Sequence, residues 1–490
     1  MAGVARDNEV HRGKRAAGDL APNGRQRVAG PVSALPGNRI LVLGYGVSGR
    51  AVAEAARQLG CSIHVYDDAF GADGKAAPAG LVGQPVRTED LSTLPLDLCV
   101  ASPGILPEHS ALQILRSRGV PVIGEIEFGF LLCRAPVAAV TGTNGKSTTT
   151  VLAGRMLQAS GRRCFIGGNL SAEGYDLPFV TAVMQAGAED VIVAEVSSFQ
   201  LELCFTFRPK VAALLNISED HLNRYSSLEE YVEAKMRIFQ AQTPEDSAVL
   251  GVDCPVVRRL ADRVSSRMLR FSALEEVQEG AFLRGDELVL RLDGREDVFA
   301  RTGETALWAP YDRMNLLAAA CVAAAMGATV QGIRHAALSF KGLPHRLEDC
   351  GMAGGVRWIN SSMCTNPKAG AEAARAVAGR FPLVLIAGGA QKECDYADWG
   401  RTVAEFARTV ILVGRDREVL RKALEDAGRC DALEAGTLAE AMEIARATAR
   451  PGDAVLLAPA MASFDEFSDF RHRGRVFREI VERYRREAEQ

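Results

Sequence analysis

The segment from Thr141 to Thr148 combines small, flexible residues with a lysine and a serine. It lies between an apolar run, Val137 to Val140, and a stretch that begins a helix near Ser147. Backbone amides in such a loop can wrap phosphates, the lysine neutralises their charge, and the serine hydroxyl can ligate Mg²⁺. The pattern therefore predicts a phosphate loop. Its predicted ligands are Gly142, Thr143, Asn144, Gly145, Lys146, Ser147 and Thr148.

A second glycine-rich loop, Gly44 to Gly49, matches GxGxxG between a predicted strand, Ile40 to Leu43, and a predicted helix, Arg50 to Leu59. Asp67 follows at the end of the next predicted strand, Ile63 to Tyr66. Read alone, this pattern is typical of a dinucleotide site. The pattern requires only backbone amides and a helix N-terminus to bind a diphosphate, and an acidic residue to bind a ribose or base. A UDP-sugar therefore fits it as well as a dinucleotide does. A tight turn without a ligand is a further alternative.

Both loops need strands and helices to hold them. Apolar runs alternate with helical patterns along the chain, and the alternation restarts at Val137 and near Pro382. Glu275 to Val298 is expected to form a small antiparallel excursion. The predicted fold class is α/β, with three successive α/β units. Further strand candidates are Val191 to Ala194, Val211 to Leu215, Val410 to Val413 and Ala454 to Leu457.

Breaks in this pattern near Arg134 and Pro344 divide the chain into units 38–134, 135–344 and 345–490. The length of 490 residues agrees with about three domains. Residues 1–37 are basic and rich in glycine and proline but lack the apolar core of a secretory signal, so we expect a disordered arm.

Composition excludes several classes of protein. The net charge of -4 lacks the basic excess of a nucleic-acid binder. The 11 cysteines are scattered without a CxxC pair, as in reduced cytosolic proteins, which argues against a zinc site. The most apolar helical stretch, Leu316 to Met326, is too short to span a bilayer. We therefore expect a cytoplasmic protein without a membrane span or a nucleic-acid partner.

The phosphate loop departs from GxxxxGK[ST], because Val140 stands where that pattern has its first glycine. Its sequence, TGTNGKST, resembles instead that of the Mur ligases and folylpolyglutamate synthetases. From about residue 38 to residue 475, further segments resemble the D-glutamate-adding Mur ligases, beginning at Ser102, Gly124, Gly167 and Glu195. The resemblance implies a three-domain Mur ligase fold, with a Rossmann-like UDP-binding N-terminal domain, a central P-loop ATPase-like domain and a Rossmann-like C-terminal domain that binds the amino acid.

The resemblance also implies roles for single residues. Ser147, Glu195, His221 and Lys235 would hold Mg²⁺, with Lys235 carbamylated, since a carbamate turns a cation into a carboxylate-like ligand. Without the resemblance, a lone histidine or an exposed helical lysine is more often structural. Lys146, Glu195, His221, Lys235 and Arg346 are the implied catalytic residues.

The same resemblance implies that Asn315 and Arg346 bind ATP together with the phosphate loop. A larger set of residues would contact the UDP-muramoyl substrate and the amino acid. Thr365, Lys392, Ser463 and Phe470 would surround the incoming glutamate. The full set is Ser48, Gly49, Asp67, Ser102, Gly104, Asn169, Ser197, Thr365, Lys392, Ser463 and Phe470.

The implied reaction is ATP-dependent ligation of D-glutamate to UDP-N-acetylmuramoyl-L-alanine through an acyl phosphate, by a monomer, in peptidoglycan precursor synthesis. The match weakens at three places: Tyr311-Asp312 replaces the usual His-Asn, Ser361-Ser362-Met363 replaces Asp-Ser-Lys, and Asn223 stands where aspartate is common. These departures leave open a diverged ligase that adds another amino acid, such as L-glutamate, or uses another acceptor, and a nucleotide-binding pseudoenzyme. An NAD-dependent dehydrogenase is what the Gly44 to Gly49 loop alone would suggest, and the phosphate loop at Thr141 to Thr148 argues against it.

Overall fold

The structure is a computed structural model that describes residues 35–71, 76–218, 224–392 and 394–489. In these ranges the chain forms three sheets in succession, and apolar clusters cover both faces of each sheet. Parallel strands buried on both faces require continuous apolar runs, which is why the strands were visible in the sequence. The prediction of an α/β fold is confirmed.

The first sheet has the strand order β3-β2-β1-β4-β5, with all neighbours parallel. Its strands are β1 (Arg39–Leu43), β2 (Ser62–Tyr66), β3 (Gln84–Pro85), β4 (Leu98–Ala101) and β5 (Val122–Gly124). Its helices are α1 (Val47–Gln58), α2 (Asp68–Gly71), α3 (Ser110–Ser117) and α4 (Glu125–Leu132). Helix α1 begins three residues before the predicted start at Arg50, because Gly46 serves as its N-cap residue and Ser48 and Gly49 lie in its first turn.

The second sheet has the order β14-β13-β12-β11-β10-β9-β6-β8-β7. Its strands are β6 (Val137–Thr141), β7 (Cys164–Gly168), β8 (Val191–Glu195), β9 (Val211–Leu214), β10 (Ser247–Gly251), β11 (Arg267–Ser272), β12 (Gly280–Arg284), β13 (Glu287–Leu292) and β14 (Arg295–Arg301). Its helices are α5 (Lys146–Ala159), α6 (Phe179–Gln185), α7 (Ser198–Leu201), α8 (Leu228–Met236), α9 (Pro255–Leu260), α10 (Pro310–Ala325) and α11 (Val330–Ser339). Strands β12, β13 and β14 run antiparallel to one another, as predicted for residues 275–298. They extend the main sheet, because β12 pairs in parallel with β11.

The third sheet has the order β15-β16-β20-β17-β18-β19, and only β15 runs antiparallel to its neighbour among these described strands. Its strands are β15 (Glu348–Ala353), β16 (Val356–Asn360), β17 (Leu383–Gly388), β18 (Ala407–Val413), β19 (Leu433–Ala435) and β20 (Ala454–Leu457). Its helices are α12 (Pro367–Ala378), α13 (Ala397–Phe406), α14 (Arg417–Asp426), α15 (Leu438–Thr448) and α16 (Phe470–Glu489).

Buried carboxylates join the first sheet's unit to the second. Glu125 accepts a hydrogen bond from the backbone N–H of Val180 at 2.8 Å, and Glu127 accepts from the backbone N–H groups of Phe205, Thr206 and Phe207. Burial raises the pKa of the Glu125 carboxyl to about 7. One apolar cluster also runs through both units. The two units are therefore packed tightly, and the domain boundary near Arg134 stays a prediction.

Two predictions fall on residues that the structure does not describe. Residues 1–34 of the expected basic arm and His221 both lie outside the described ranges. Among the helices that are described, none is long and apolar enough to cross a membrane.

Candidate active site

The phosphate loop connects β6 to α5 and depends on two glycines. Gly142 has φ of 149° and Gly145 has φ of 86°, both in the region that disfavours other side chains. A Cβ atom at Gly145 would also lie 2.3 Å from Oδ1 of Asn315. The loop can therefore approach a phosphate closely only because glycine occupies these positions.

Asn216, which the sequence analysis missed, clamps this loop. Its Oδ1 accepts from the backbone N–H of Asn144 at 2.9 Å, and its Nδ2 donates to the Asn144 carbonyl at 3.0 Å. The Asn216 carbonyl accepts from the Thr143 N–H at 2.9 Å. The available signal was position, since Asn216 follows strand β9, which pairs with β6 in parallel register.

An acid and a cation from distant parts of the chain meet at the first turn of α5. Ser147 Oγ donates to Glu195 Oε2 at 2.6 Å and accepts from Arg346 Nη2 at 3.0 Å. Glu195 ends β8 and is buried, and Asn169 Nδ2 donates to its Oε1 at 3.4 Å. Burial lowers the pKa of Arg346, and the nearby Glu195 charge opposes that effect. The structure thus brings together four predicted residues.

Two lysines face the same loop. Lys146 Nζ donates to the Thr143 carbonyl at 2.8 Å. Lys235 is almost fully buried, and its Nζ donates to the Gly142 carbonyl at 2.9 Å and lies 4.5 Å from the centre of the Tyr231 ring. Lys235 is therefore a buried group at the phosphate loop and not the exposed helical lysine that residue type alone suggests.

A cavity of about 1190 Å³ opens between the second and third sheets. The phosphate loop, Glu195, Asn315 and Arg346 line it, together with four of the residues where the family pattern weakens: Tyr311, Asp312, Ser361 and Met363. Burial raises the pKa of Asp312 to about 6, and its Oδ2 accepts from the Ala309 N–H at 3.0 Å. The four residues that depart from the family pattern therefore line the same cavity as the phosphate loop.

The Gly44 to Gly49 loop has its own network of hydrogen bonds at the carboxyl edge of the first sheet. Gly44 has φ of 87°, the Tyr45 N–H donates to Asp67 Oδ2 at 2.7 Å, and Ser102 Oγ donates to the Gly44 carbonyl at 2.9 Å. A Cβ atom at Gly49 would lie 1.9 Å from the Gly44 carbonyl oxygen. Ser48 is half-buried beside this loop, and Gly104 is exposed after β4.

The residues predicted around the amino acid lie on connections of the third sheet. Lys392 Nζ donates to Thr365 Oγ1 at 3.2 Å, which joins two of them directly. Ser463 is buried, and its carbonyl accepts from the Phe467 N–H at 2.9 Å. Phe470 begins α16. Ser197, predicted to contact substrate, caps α7 in this structure, where its Oγ accepts from the Gln200 N–H at 3.3 Å.

The chemistry of the phosphate loop fits a nucleoside triphosphate with Mg²⁺. Magnesium takes few protein oxygens and completes its shell with water and phosphate oxygens. Ser147 and Glu195 present a hydroxyl and a carboxylate of this kind, 2.6 Å apart. In the described ranges no group of three or more His, Cys, Asp or Glu side chains could hold a metal ion.

Known proteins share this sequence and this architecture. Residues 140–323 match the Mur ligase middle domain, and residues 345–461 match the glutamate ligase domain of the Mur ligases. A UDP-N-acetylmuramoylalanine–D-glutamate ligase from Pelotomaculum thermopropionicum is 39% identical over 453 residues, covering 90% of this chain and 97% of the relative. A ligase of the same name from Desulfosudis oleivorans is 38% identical, covering 91% of this chain and 96% of the relative.

Solved structures share the fold. A UDP-N-acetylmuramate–alanine ligase from Thermotoga maritima superimposes with a TM-score of 0.57 at 19% identity, covering 92% of this chain and 99% of the other. A MurF ligase from Thermotoga maritima in complex with ADP gives 0.54 at 19% identity, covering 93% and 96%.

Proposed function

We propose that this chain, which belongs to the Mur ligase family, joins D-glutamate to UDP-N-acetylmuramoyl-L-alanine while ATP is converted to ADP and phosphate. Relatives that carry the name of this activity are 34–39% identical over nearly the whole chain. The observation that carries the proposal is the contact of Ser147 with both Glu195 and Arg346, because it joins a phosphate loop, an acid and a third-domain cation in one cavity.

The reaction needs activation, because a carboxylate is a poor electrophile toward an amine. One oxygen of the alanyl carboxylate attacks the γ-phosphorus, ADP leaves, and an acyl phosphate forms. The amine of the amino acid then attacks the carbonyl carbon, the C–O bond breaks, and phosphate leaves with that oxygen. Lys146 and Arg346 are placed to stabilise the charge that develops on the transferring phosphoryl group.

Ser147 and Glu195 are the described residues that would hold Mg²⁺, and His221 is proposed to join them from outside the described ranges. Bound there, the ion would offset the negative charge of the phosphate oxygens. We propose Lys235 as a further ligand in carbamylated form. Its burial and its contact with the Gly142 carbonyl support a role at the phosphate loop.

The first sheet is proposed to bind the UDP end of the acceptor through Ser48, Gly49, Asp67, Ser102 and Gly104. The network of Asp67 and Ser102 with the glycine loop supports this assignment, since it holds the loop that leads into the N-terminus of α1, where a diphosphate is favoured. Asn169 and Ser197 are proposed to contact the muramoyl part. Thr365, Lys392, Ser463 and Phe470 are proposed to form the amino-acid pocket, where the Lys392 ammonium suits a carboxylate.

We further propose that the enzyme acts as a monomer in the cytoplasm, where its nucleotide substrates would be available. Ser361 and Met363 favour a second candidate function, a ligase for another amino acid or another acceptor, because they line the cavity without the acid and the lysine of the family pattern.

One assay separates the two candidates: phosphate release by purified protein with Mg²⁺, ATP and UDP-N-acetylmuramoyl-L-alanine, with D-glutamate, L-glutamate and other amino acids added in turn. The proposal predicts turnover with D-glutamate. Turnover with another amino acid in place of D-glutamate, or with another carboxylate acceptor added in the same assay, would support the diverged ligase. Absence of turnover in every combination would point to a pseudoenzyme.

A further inference from the structure

Arg473 is a buried cation in the first turns of α16, and its side chain reaches two other segments of the chain. Only 4% of the residue is exposed. Its Nε donates to Ser362 Oγ at 3.1 Å, and its Nη2 donates to the Ser362 carbonyl at 3.0 Å. The same guanidinium donates to the carbonyls of Met461 and Ala462 at 3.2 and 3.3 Å. The planar fork of arginine suits several acceptors at once.

A third segment packs on this guanidinium. A Cβ atom at Gly389 would lie 3.2 Å from Arg473 Nη1 and 2.1 Å from the Ala462 carbonyl oxygen. Ala390 and Ala462 pair as an antiparallel bridge, which holds the Gly389 loop against the same place. Only a glycine at position 389 therefore lets this loop approach Arg473.

Each of these segments carries one residue of the proposed amino-acid pocket. Thr365 follows Ser362, Ser463 follows Ala462, and Lys392 follows Gly389 along the chain. Phe470 shares helix α16 with Arg473, and its carbonyl accepts from Ser362 Oγ at 2.7 Å. Arg473 thus contacts, directly or through one hydroxyl, all four segments that form the pocket.

The charge of Arg473 is not needed for these contacts alone, because every described acceptor is a carbonyl or a hydroxyl. Asp465 and Glu466 act on Arg473 through their charge, which raises its pKa, but neither accepts a described hydrogen bond from it. Asp465 accepts from the Arg415 N–H at 3.0 Å, and Glu466 accepts from the Leu438 N–H at 3.1 Å. Burial lowers the pKa of Arg473 to about 10, so the group stays charged at neutral pH. A buried cation without a contacting carboxylate is costly, and an anionic ligand nearby offsets that cost.

We infer that Arg473 is a positioning residue that assembles the amino-acid pocket from its four segments and gives it positive potential for a ligand with two carboxylates. The inference rests on the proposed function, because it takes Thr365, Lys392, Ser463 and Phe470 as that pocket. It adds Arg473 and Ser362, which act through the pocket residues and need not touch the substrate.

Two serines that each donate to a backbone carbonyl provide a matched test. Ser362 Oγ joins Arg473 to Phe470, whereas Ser339 Oγ donates to the His335 carbonyl at 2.7 Å at the exposed end of α11. Ser362→Ala is expected to raise the KM for D-glutamate by about 10-fold, the effect of losing one hydrogen bond to a charged group. Ser339→Ala is expected to leave that KM within about 2-fold of the wild-type value.

Arg473→Lys keeps the charge but loses the fork, and we expect it to raise the KM for D-glutamate by about 10- to 100-fold. Formation of the acyl phosphate, measured without amino acid by trapping with hydroxylamine, should stay near the wild-type level in both Arg473→Lys and Ser362→Ala. This split separates a pocket defect from general damage, and thermal unfolding of each variant reports folding.

An unchanged KM for D-glutamate in Ser362→Ala, or an equal loss of acyl phosphate formation and ligation in both variants, would overturn the inference. If Arg473→Lys does not fold, Ser362→Ala alone decides. If the wild-type enzyme turns over with another amino acid, the proposed function fails, while the KM for that amino acid still decides the role of Arg473.

Discussion

Ser147 lies between a carboxylate and a guanidinium that come from opposite sides of the cavity. One hydroxyl is therefore bonded both to Glu195 on β8, the proposed metal ligand, and to a cation from the third sheet's unit. The family resemblance implied Glu195 as a Mg²⁺ ligand, and the structure explains its position, because the carboxyl ends of the neighbouring parallel strands β6 and β8 meet at one edge of the sheet.

Glu195→Gln keeps the size of the side chain and removes its charge. We expect kcat for ligation to fall by about 10²- to 10³-fold, the loss typical of one electrostatic contact to the transition state. Phosphate release at saturating ATP measures it, with Glu189→Gln as the control, since Glu189 is exposed between α6 and β8. A Glu195→Gln enzyme that keeps wild-type kcat at every Mg²⁺ concentration would contradict the assignment.

Lys235 is expected to act as a carbamate, so the ligase activity of the enzyme should depend on dissolved carbon dioxide. Degassed enzyme should lose activity that bicarbonate restores, and Lys235→Ala should lose activity that a short carboxylic acid partly restores, because a carboxylate replaces the missing ligand. Lys422→Ala, at an exposed position of α14, serves as the control. Full activity of Lys235→Arg would argue against carbamylation, because arginine cannot carry this group.

Asn216 and Arg473 were missed at this scale for a common reason. Both act on backbone carbonyls and amides, which every residue carries, so no pattern of side-chain types marks their partners. Key partners are also distant in sequence: Asn144 lies 72 residues from Asn216, and Ser362 lies 111 residues from Arg473. Chemistry-bearing loops can be predicted from local spacing, whereas the residues that position those loops cannot.

At the level of elements, the local pattern predicted the strands well because parallel strands are continuous apolar runs. It placed the start of α1 at Arg50, three residues late, because Gly46 leaves no side-chain cap to mark the N-terminus. The antiparallel pattern of residues 275–298 was visible, but the sheet edge that it joins was not. That edge, β11, is set by tertiary contacts.

Helix α4 carries a titratable group into the interface between the first two units. The pKa of Glu125 is raised by burial from 4.5 to about 7, so the folded protein binds an extra proton between these values. Stability must then fall as pH rises through this window, by at most about 3 kcal/mol, and stay constant above it. Glu125→Gln should lack this loss.

Urea unfolding at pH 5 and pH 8 measures the effect as the difference between wild-type protein and Glu125→Gln. Glu189→Gln should follow the wild-type curve. Equal pH dependence in wild-type protein and Glu125→Gln would show that another group is responsible.

For the whole molecule, ion pairs hold the third sheet's unit against the second. Both Nη atoms of Arg471 donate to Asp176 at 2.7 and 2.9 Å, and Arg478 pairs with Glu173 at 3.4 Å. The hydrogen bond from Arg346 to Ser147 joins the same two units. The ion pairs join residues that are about 300 positions apart in the sequence. Sequence spacing could predict three α/β units, but not how they face one another.

Arg471→Gln should weaken the arrangement that brings Arg346 to Ser147. Because the ion pair is partly exposed, we expect kcat/KM for ATP to fall by no more than about 5-fold, with a smaller difference at high salt. The exchanged double variant Asp176→Arg with Arg471→Asp should recover most of the loss. If the single and double variants are equally impaired, the ion pair does not stabilise this arrangement.

The transfer of one oxygen from acceptor to phosphate tests the proposed enzyme most directly. UDP-N-acetylmuramoyl-L-alanine labelled with ¹⁸O in its carboxylate is incubated with ATP, Mg²⁺, D-glutamate and the enzyme, and the released phosphate is analysed by mass spectrometry. Ligation through an acyl phosphate predicts that ¹⁸O appears in the phosphate in proportion to amide formed. Phosphate without ¹⁸O, released at the same rate, would mean that water and not the acceptor attacks ATP.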